Sequence, residues 1–410
     1  MTGAVIPNPR NKPAPSAKHV PALDGVRGLA ILAVMFHHFR FILEPVHRSQ
    51  RWLLLLFDGG WCGVEIFFVL SGFLITGILL DTRNSPSFFK TFYARRFLRI
   101  FPLYFAYLGV VFLSLSRWWL SHFGFNPWAQ VQAWPYLLYL QNFRVPTMFN
   151  DLFLGHLWSL AVEEQFYLVW PLVVAFLPRN LVGWTTLLLI TAAVVDRFQF
   201  AGKSLEMSFL LNTSTWASLD SLALGALAAI LLRSRGSSPA LQRTIKLVGL
   251  LSICLFLFFC YREGSAFLYY RPVHVWGVLA LSISSACLVL HCVTEPQSFL
   301  SKGFSLRPMR ELGKVSYGLY VLHPLVIAVI LPRVHPLRHG IPPLEQTAIK
   351  VLVMLLLMAF TYGFAWLSWT LFENPILRFK KYFGYTVSPS GVLYTVASVN
   401  EEQSLEKSLT

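Results

Sequence analysis

The chain has 410 residues, of which 55% are hydrophobic and only 13% charged, with a mean hydropathy of +0.57. A water-soluble domain of this length needs about twice that share of charge to cover its surface, which excludes a soluble protein and points to an integral membrane protein. The net charge of +15 would suit nucleic acid, but the cations lie in the gaps between apolar runs and read as topology signals, so no nucleic-acid partner is expected.

Residues 1–20 form a basic, Pro-rich tail. The apolar run behind it continues through Arg27, His37 and His38 with no small-residue cleavage site, so it reads as a first span rather than a removable signal. About ten spans follow one another along an all-α transmembrane bundle covering 21–383. They are predicted at 23–43, 60–80, 97–116, 157–177, 181–195, 216–232, 246–260, 273–293, 313–331 and 347–372, with the fifth and seventh short. The apolar stretch 131–139 is too short to cross and is predicted to be interfacial or re-entrant within the longest loop, where Trp118, Trp119, Trp128 and Trp134 suit an aromatic belt. Residues 384–410 are polar and Ser-rich, the composition of a disordered tail. The five cysteines lie in or beside apolar segments without metal-ligand spacing, so neither disulfides nor a metal site is expected.

Alternate loops hold 21 and 11 Lys and Arg residues; the richer side, which carries both termini, is predicted to be cytoplasmic. With no soluble catalytic domain in the reading, chemistry is expected within or beside the bundle.

Ionisable side chains inside spans cost about 2.5–3.5 kcal/mol each at a helix centre and so mark candidate functional positions. Arg27 and His38 are eleven residues apart, which at about 100° per residue puts them on one helical face and roughly 16 Å apart along the axis. The bland alternative is an arginine that snorkels and a histidine that only packs. Antiparallel spans are predicted to bring Glu65, Glu163 and Glu164 to the depth of His38, where a carboxylate would orient a histidine base. His323 is a second histidine candidate. Arg95, Arg96 and Arg99 open the third predicted span, and beside Arg27 they would suit a ligand with several phosphates.

Six stretches together resemble the acyltransferase 3 family of membrane O-acyltransferases. They are LDGVRGLAILAVMFHH (23–38), GVEIFFVLSGFLITGILL (63–80), FYARRFLRIFPLY (92–104), HLWSLAVEEQFYLVWP (156–171), GKVSYGLYVLHP (313–324) and FENP (372–375), in the family's order over about 350 residues. The family's arginine–ten–histidine pattern falls on Arg27 and His38, its arginine motif on Arg96 and Arg99, and its acid pair on Glu163 and Glu164. Glu65 stands where many members carry Asp, and His37 duplicates the histidine but points about 100° away. The resemblance implies a multi-pass protein of the bacterial inner membrane. It also implies transfer of an acyl group, by default acetyl, from acyl-CoA as a donor substrate with no bound cofactor. The acceptor would be a hydroxyl of a carbohydrate, glycolipid or secondary metabolite. In this reading His38 is the base or acyl carrier, with Glu65, Glu163 and Glu164 in support. Arg27, Arg95, Arg96 and Arg99 hold the donor, and His156, Tyr320 and His323 line the substrate site. A proton-coupled secondary transporter or exporter of a glycolipid-like substrate is the alternative from another class.

Overall fold

A computed structural model describes residues 18–40, 57–115, 131–143, 153–204, 210–264, 266, 270–334, 343–384 and 394–395. The tails beyond these and the tryptophans at 118, 119 and 128 lie outside the described residues. The helices are α1 Pro21–Phe39, α2 Cys62–Thr82, α3 Phe88–Gly109, the short α4 Trp134–Leu137, α5 Trp158–Phe176, α6 Arg179–Phe200 and α7 Thr215–Arg235. After them come α8 Pro239–Glu263, α9 Val278–Thr294, α10 Phe299–Phe304, α11 Arg307–Lys314, α12 Ser316–Val334, α13 Pro343–Ser368 and α14 Asn374–Leu377. Two parallel two-residue strands, β1 Lys18–His19 and β2 Tyr394–Thr395, pair with each other, and β2 lies against α2.

Among the described residues, nine helical segments are long and apolar enough to cross a membrane. The 19-residue α12, apolar over Ser316–Ile327, stands beside them, so the expectation of about ten spans is met. The fifth and seventh spans are longer than predicted, at 22 and 25 residues. In α6 the extension is possible because Arg197, expected in an outer loop, is buried in an ion pair with Asp220 of α7. In α8, Ser238 caps Leu241 N–H at 3.2 Å with Pro239 in the first turn, and Gly264 closes the helix at φ +63°. The third span begins nine residues early, at Phe88 instead of 97. Arg95, Arg96 and Arg99 therefore lie inside α3 rather than at its opening.

Burial separates inner from outer helices. The most apolar part of the α2 segment is 83% buried within the bundle and that of α8 only 11%, so α2 is central and α8 faces the bilayer. A close backbone approach lies between α2 and α7. A Cβ on Gly72 would stand 1.9 Å from the Leu222 carbonyl oxygen, and one on Gly225 would stand 2.0 Å from that of Val69, so only glycine fits on either side. Asp81 and Arg233 lock one end of this pair with hydrogen bonds of 2.8 and 2.6 Å.

The stretch 131–139 enters the bundle, as the re-entrant reading expects. Tyr104 Oη of α3 donates to the Tyr136 carbonyl at 2.8 Å, and the Tyr139 ring stacks on Tyr104 at 4.4 Å.

Candidate active site

α1, α2, α3, α5 and α12 surround one cavity of about 80 Å³, lined by Arg27, Ser71, Arg96, Arg99, Ser159, Glu163, Tyr167, Ser316, Tyr317 and Tyr320 among others. Helical period explains the selection: Arg96 and Arg99 are one turn apart on α3, as are Glu163 and Tyr167 on α5 and Ser316 and Tyr320 on α12.

At one end sit the guanidiniums. Arg27 is acted on by the charges of Arg99, Asp24 and Arg96, and Arg99 by those of Arg96, Glu373 and Asp24. Arg96 lies over the Tyr167 ring, 5.3 Å from its centroid. None of Arg27, Arg96 and Arg99 makes an ion pair with a carboxylate among the described residues, whereas Arg197, Arg233 and Arg40 do. Three mutually repelling guanidiniums around one cavity concentrate positive charge there. Arg95, the fourth predicted member, is absent from the cavity lining. Its Nη1 donates to the Lys380 and Phe383 carbonyls at 3.2 and 2.9 Å, which ties α3 to the segment after α14. Lys380, read in the sequence as a topology charge, instead joins the cluster, feeling Arg99, Arg96, Arg95 and Arg27.

At the other end is a histidine cluster. His38 of α1 and His323 of α12 have ring centroids 4.7 Å apart, and His156, in the turn leading into α5, is 5.2 Å from His323. His38 Nδ1 donates to the Val34 carbonyl at 2.9 Å and His323 Nδ1 to that of Leu319 at 3.1 Å. A carbonyl only accepts, so in the neutral rings each Nε2 keeps its lone pair. His323 Nε2 and both His156 nitrogens are buried without a partner among the described residues. No group of three or more His, Cys, Asp or Glu is arranged to hold a metal ion among those residues. His37 turns away, with Nδ1 3.1 Å from the Asp58 carbonyl.

Ser159 and Tyr320 join the two ends. Tyr320 Oη donates to the His156 carbonyl at 2.7 Å and meets Ser159 Oγ at 2.5 Å, while both residues also line the arginine-bearing cavity. The cavity wall thus touches the histidine cluster through Tyr320, while His38, His156 and His323 do not themselves line the cavity.

The carboxylates are not where depth alone put them. Glu163 accepts from Ser71 Oγ at 2.5 Å and feels Arg96 and Arg27, so it belongs to the arginine end. Glu164 points to a neighbouring cavity beside Tyr139. Glu65 accepts from Ser221, which also meets Ser282 at 2.7 Å, and its charged neighbours are Asp220 and Arg197. None of the three acids is hydrogen-bonded to His38 among the described residues; the Val34 carbonyl orients that ring instead. The error has a simple source. α2 runs antiparallel to α1 with Gly60 beside Ala33 and His37, and Gly63 beside Ala30. Glu65 therefore falls below His38, and its side chain turns toward α7. Sequence reasoning missed Ser71, Ser159, Tyr167, Ser316, Tyr317 and Glu373, although all six sat in the quoted motifs and all but Glu373 are hydroxyls.

The profile of the acyltransferase domain matches residues 20–370, which is most of the chain. The chain belongs to the acyltransferase 3 family. Similar proteins include the peptidoglycan O-acetyltransferase OatA of Listeria monocytogenes, 30% identical over 430 residues that cover 94% of this chain and 62% of the relative. YrhL of Bacillus subtilis is 30% identical, covering 85% and 54% respectively. The O-acetyltransferase OatA of Staphylococcus aureus is 28% identical, covering 88% and 58%. This chain spans between 54% and 62% of the length of these relatives. No solved structure matches it. The family membership and the apolar helices together make this chain a multi-pass bacterial membrane protein.

Proposed function

We propose that this chain transfers an acyl group, by preference acetyl, from cytosolic acyl-CoA to a hydroxyl of a carbohydrate acceptor. The observation that supports the reading is the set of three guanidiniums with no carboxylate ion pair among the described residues, in a cavity whose wall residues Ser159 and Tyr320 hydrogen-bond to each other and, through Tyr320, to the His156 carbonyl. A cavity of about 80 Å³ cannot enclose a whole coenzyme, since pockets that bury drug-sized ligands run to roughly 300–1,000 Å³. It suits the slender thioester arm, with the phosphates held at the arginine mouth by Arg27, Arg96, Arg99 and Lys380. That mouth then faces the cytoplasm, in keeping with the loop charges.

His38 Nε2 takes the proton of the acceptor hydroxyl as its oxygen attacks the thioester carbonyl; the C–S bond breaks, and the CoA thiolate leaves with that proton. A backbone carbonyl rather than a carboxylate orients His38, and the His323 ring lies alongside it at 4.7 Å. Tyr320 keeps its proton on the His156 carbonyl and holds Ser159 in place, and the Ser159 hydroxyl can turn to donate to the carbonyl oxygen as it gains charge. The names of the relatives, which act on peptidoglycan or carry O-acetyltransferase activity, support a carbohydrate acceptor and an acetyl donor.

Purified chain in liposomes, supplied with labelled acetyl-CoA and a soluble glycan fragment, tests the reading. Release of free CoA with label on the glycan is expected. Gradient-driven glycan uptake with the thioester intact would replace the enzyme with the transporter.

A further inference from the structure

A second cavity, of about 250 Å³, lies on the far side of Arg96 and Tyr167 from the first and shares those two residues with it. Its mouth is formed by Phe97, Leu138 and Leu168, which are 54%, 62% and 64% exposed on the bilayer-facing surface. Its floor is polar. Glu164 Oε1 and Tyr139 Oη are both buried and have no hydrogen-bond partner among the described residues, and the Tyr139 residue is 7% exposed. Arg96 and Phe97 stand about 12–14 Å along α3 from its start, and Glu164 roughly 9 Å along α5 from the other side, so the cavity opens near mid-span. Unpartnered polar groups at that depth are costly and call for an occupant that satisfies them.

The chain holds this floor in place deliberately. Tyr139 is the non-glycine residue with positive φ, +55°, among the described residues. Its carbonyl accepts from Gln165 Nε2 at 2.7 Å, and its ring stacks on Tyr104. The hydroxyl is thereby aimed into the cavity by a strained, over-determined backbone.

Charge selects the ligand. Arg96 in the wall disfavours a cationic head group and Glu164 disfavours an anionic one, while Tyr93, Phe97, Phe101, Tyr139 and Tyr167 offer flat aromatic faces. We propose that this cavity is a lateral subsite, entered from the bilayer, for the neutral, hydroxyl-rich head group of a membrane-embedded amphiphile. Glu164 and Tyr139 hydrogen-bond its hydroxyls while its chain leaves between Phe97, Leu138 and Leu168. The proposal deepens the acyltransfer reading: it gives the acceptor a route from the membrane to a wall shared with the donor cavity. The subsite itself does not depend on that reading.

The full chain in nanodiscs, exposed to a dodecyl glucoside bearing a photoreactive chain or to a phosphocholine with the same chain, tests it. Glucoside label is expected to concentrate on peptides holding Leu138, Tyr139 and 164–168. Tyr139→Phe and Glu164→Gln should each cut that label about tenfold. Leu168→Trp, which fills the mouth without touching the floor, should abolish it while CoA binding persists as proof of a folded chain. Equal labelling by the two probes, or undiminished labelling of Tyr139→Phe and Glu164→Gln, would overturn the subsite. CoA binding without pocket labelling leaves the donor reading standing alone, and pocket labelling without CoA binding does the reverse. Transfer of acetyl from labelled acetyl-CoA to the bound glucoside marks the occupant as acceptor; a bound glucoside that is never acetylated marks a resident lipid in the same site.

Discussion

Neutralising Arg96 or Arg99 separates a donor site from a structural cluster. Neither residue has a carboxylate ion pair among the described residues, so Arg96→Gln and Arg99→Gln break none; each relieves repulsion within the cluster, which offsets the loss of a cation acting on Glu163 or Glu373. The resting protein should hold or raise its apparent Tm. Each change removes a charge-assisted contact to phosphate worth about 1.5–3 kcal/mol, which weakens CoA binding about 10- to 150-fold. The effect reads twice, in the Kd by calorimetry and in the stabilisation by ligand. At CoA about 100 times the wild-type Kd the parent gains about 2.7 kcal/mol, whereas a variant weakened about 100-fold gains about 0.4 kcal/mol under the same conditions. Arg95→Gln is the internal control: it loses hydrogen bonds to the Lys380 and Phe383 carbonyls, so it should lower Tm and leave the Kd unchanged. Wild-type CoA affinity in both Arg96→Gln and Arg99→Gln would refute the anion site, and a shifted Kd in Arg95→Gln would refute its boundary.

Three further outcomes are expected. Arg197→Gln leaves Asp220 buried and unpaired, so it should cost about 3–5 kcal/mol and show as lost yield and lowered Tm, while Lys246→Gln, at an exposed pair with Glu295, should change Tm little. Glu65→Gln keeps a partner for Ser221 and lies away from the histidines; turnover should stay within about threefold of wild type, a surface-like effect, and a loss of about 100-fold would restore Glu65 to the catalytic group. Tyr320→Phe removes the hydroxyl that links Ser159 to the His156 carbonyl; kcat should fall about 10- to 100-fold at unchanged CoA Kd, and a fall in affinity alone would make Tyr320 a binding residue only.

The spans, the central arginine–histidine helix and the re-entrant stretch were legible because each rests on a local property: apolar length, helical period, or a run too short to cross. Partnership was not legible. Antiparallel depth put Glu65, Glu163 and Glu164 beside His38, but depth ignores which way a side chain turns. The α2–α7 crossing at Gly72 and Gly225 draws Glu65 to Ser221, and the helical phase of α5 sends Glu163 to Ser71 and Glu164 to the lateral cavity. Arg197 looked like a loop cation because its partner, Asp220, is 23 residues away on the next helix. His156 and Tyr320, carried by motif resemblance alone, lie at the junction of the two ends, where only the three-dimensional packing of α5 against α12 brings them together.

The most direct test of the account is CoA release from labelled acetyl-CoA by His38→Ala beside wild type, each in nanodiscs with the same acceptor. A general base contributes about 10²–10⁴-fold, so release should fall by at least that lower factor while CoA Kd and apparent Tm stay at wild-type values. Turnover at the wild-type rate in folded His38→Ala would contradict the histidine end of the site, and with it the mechanism.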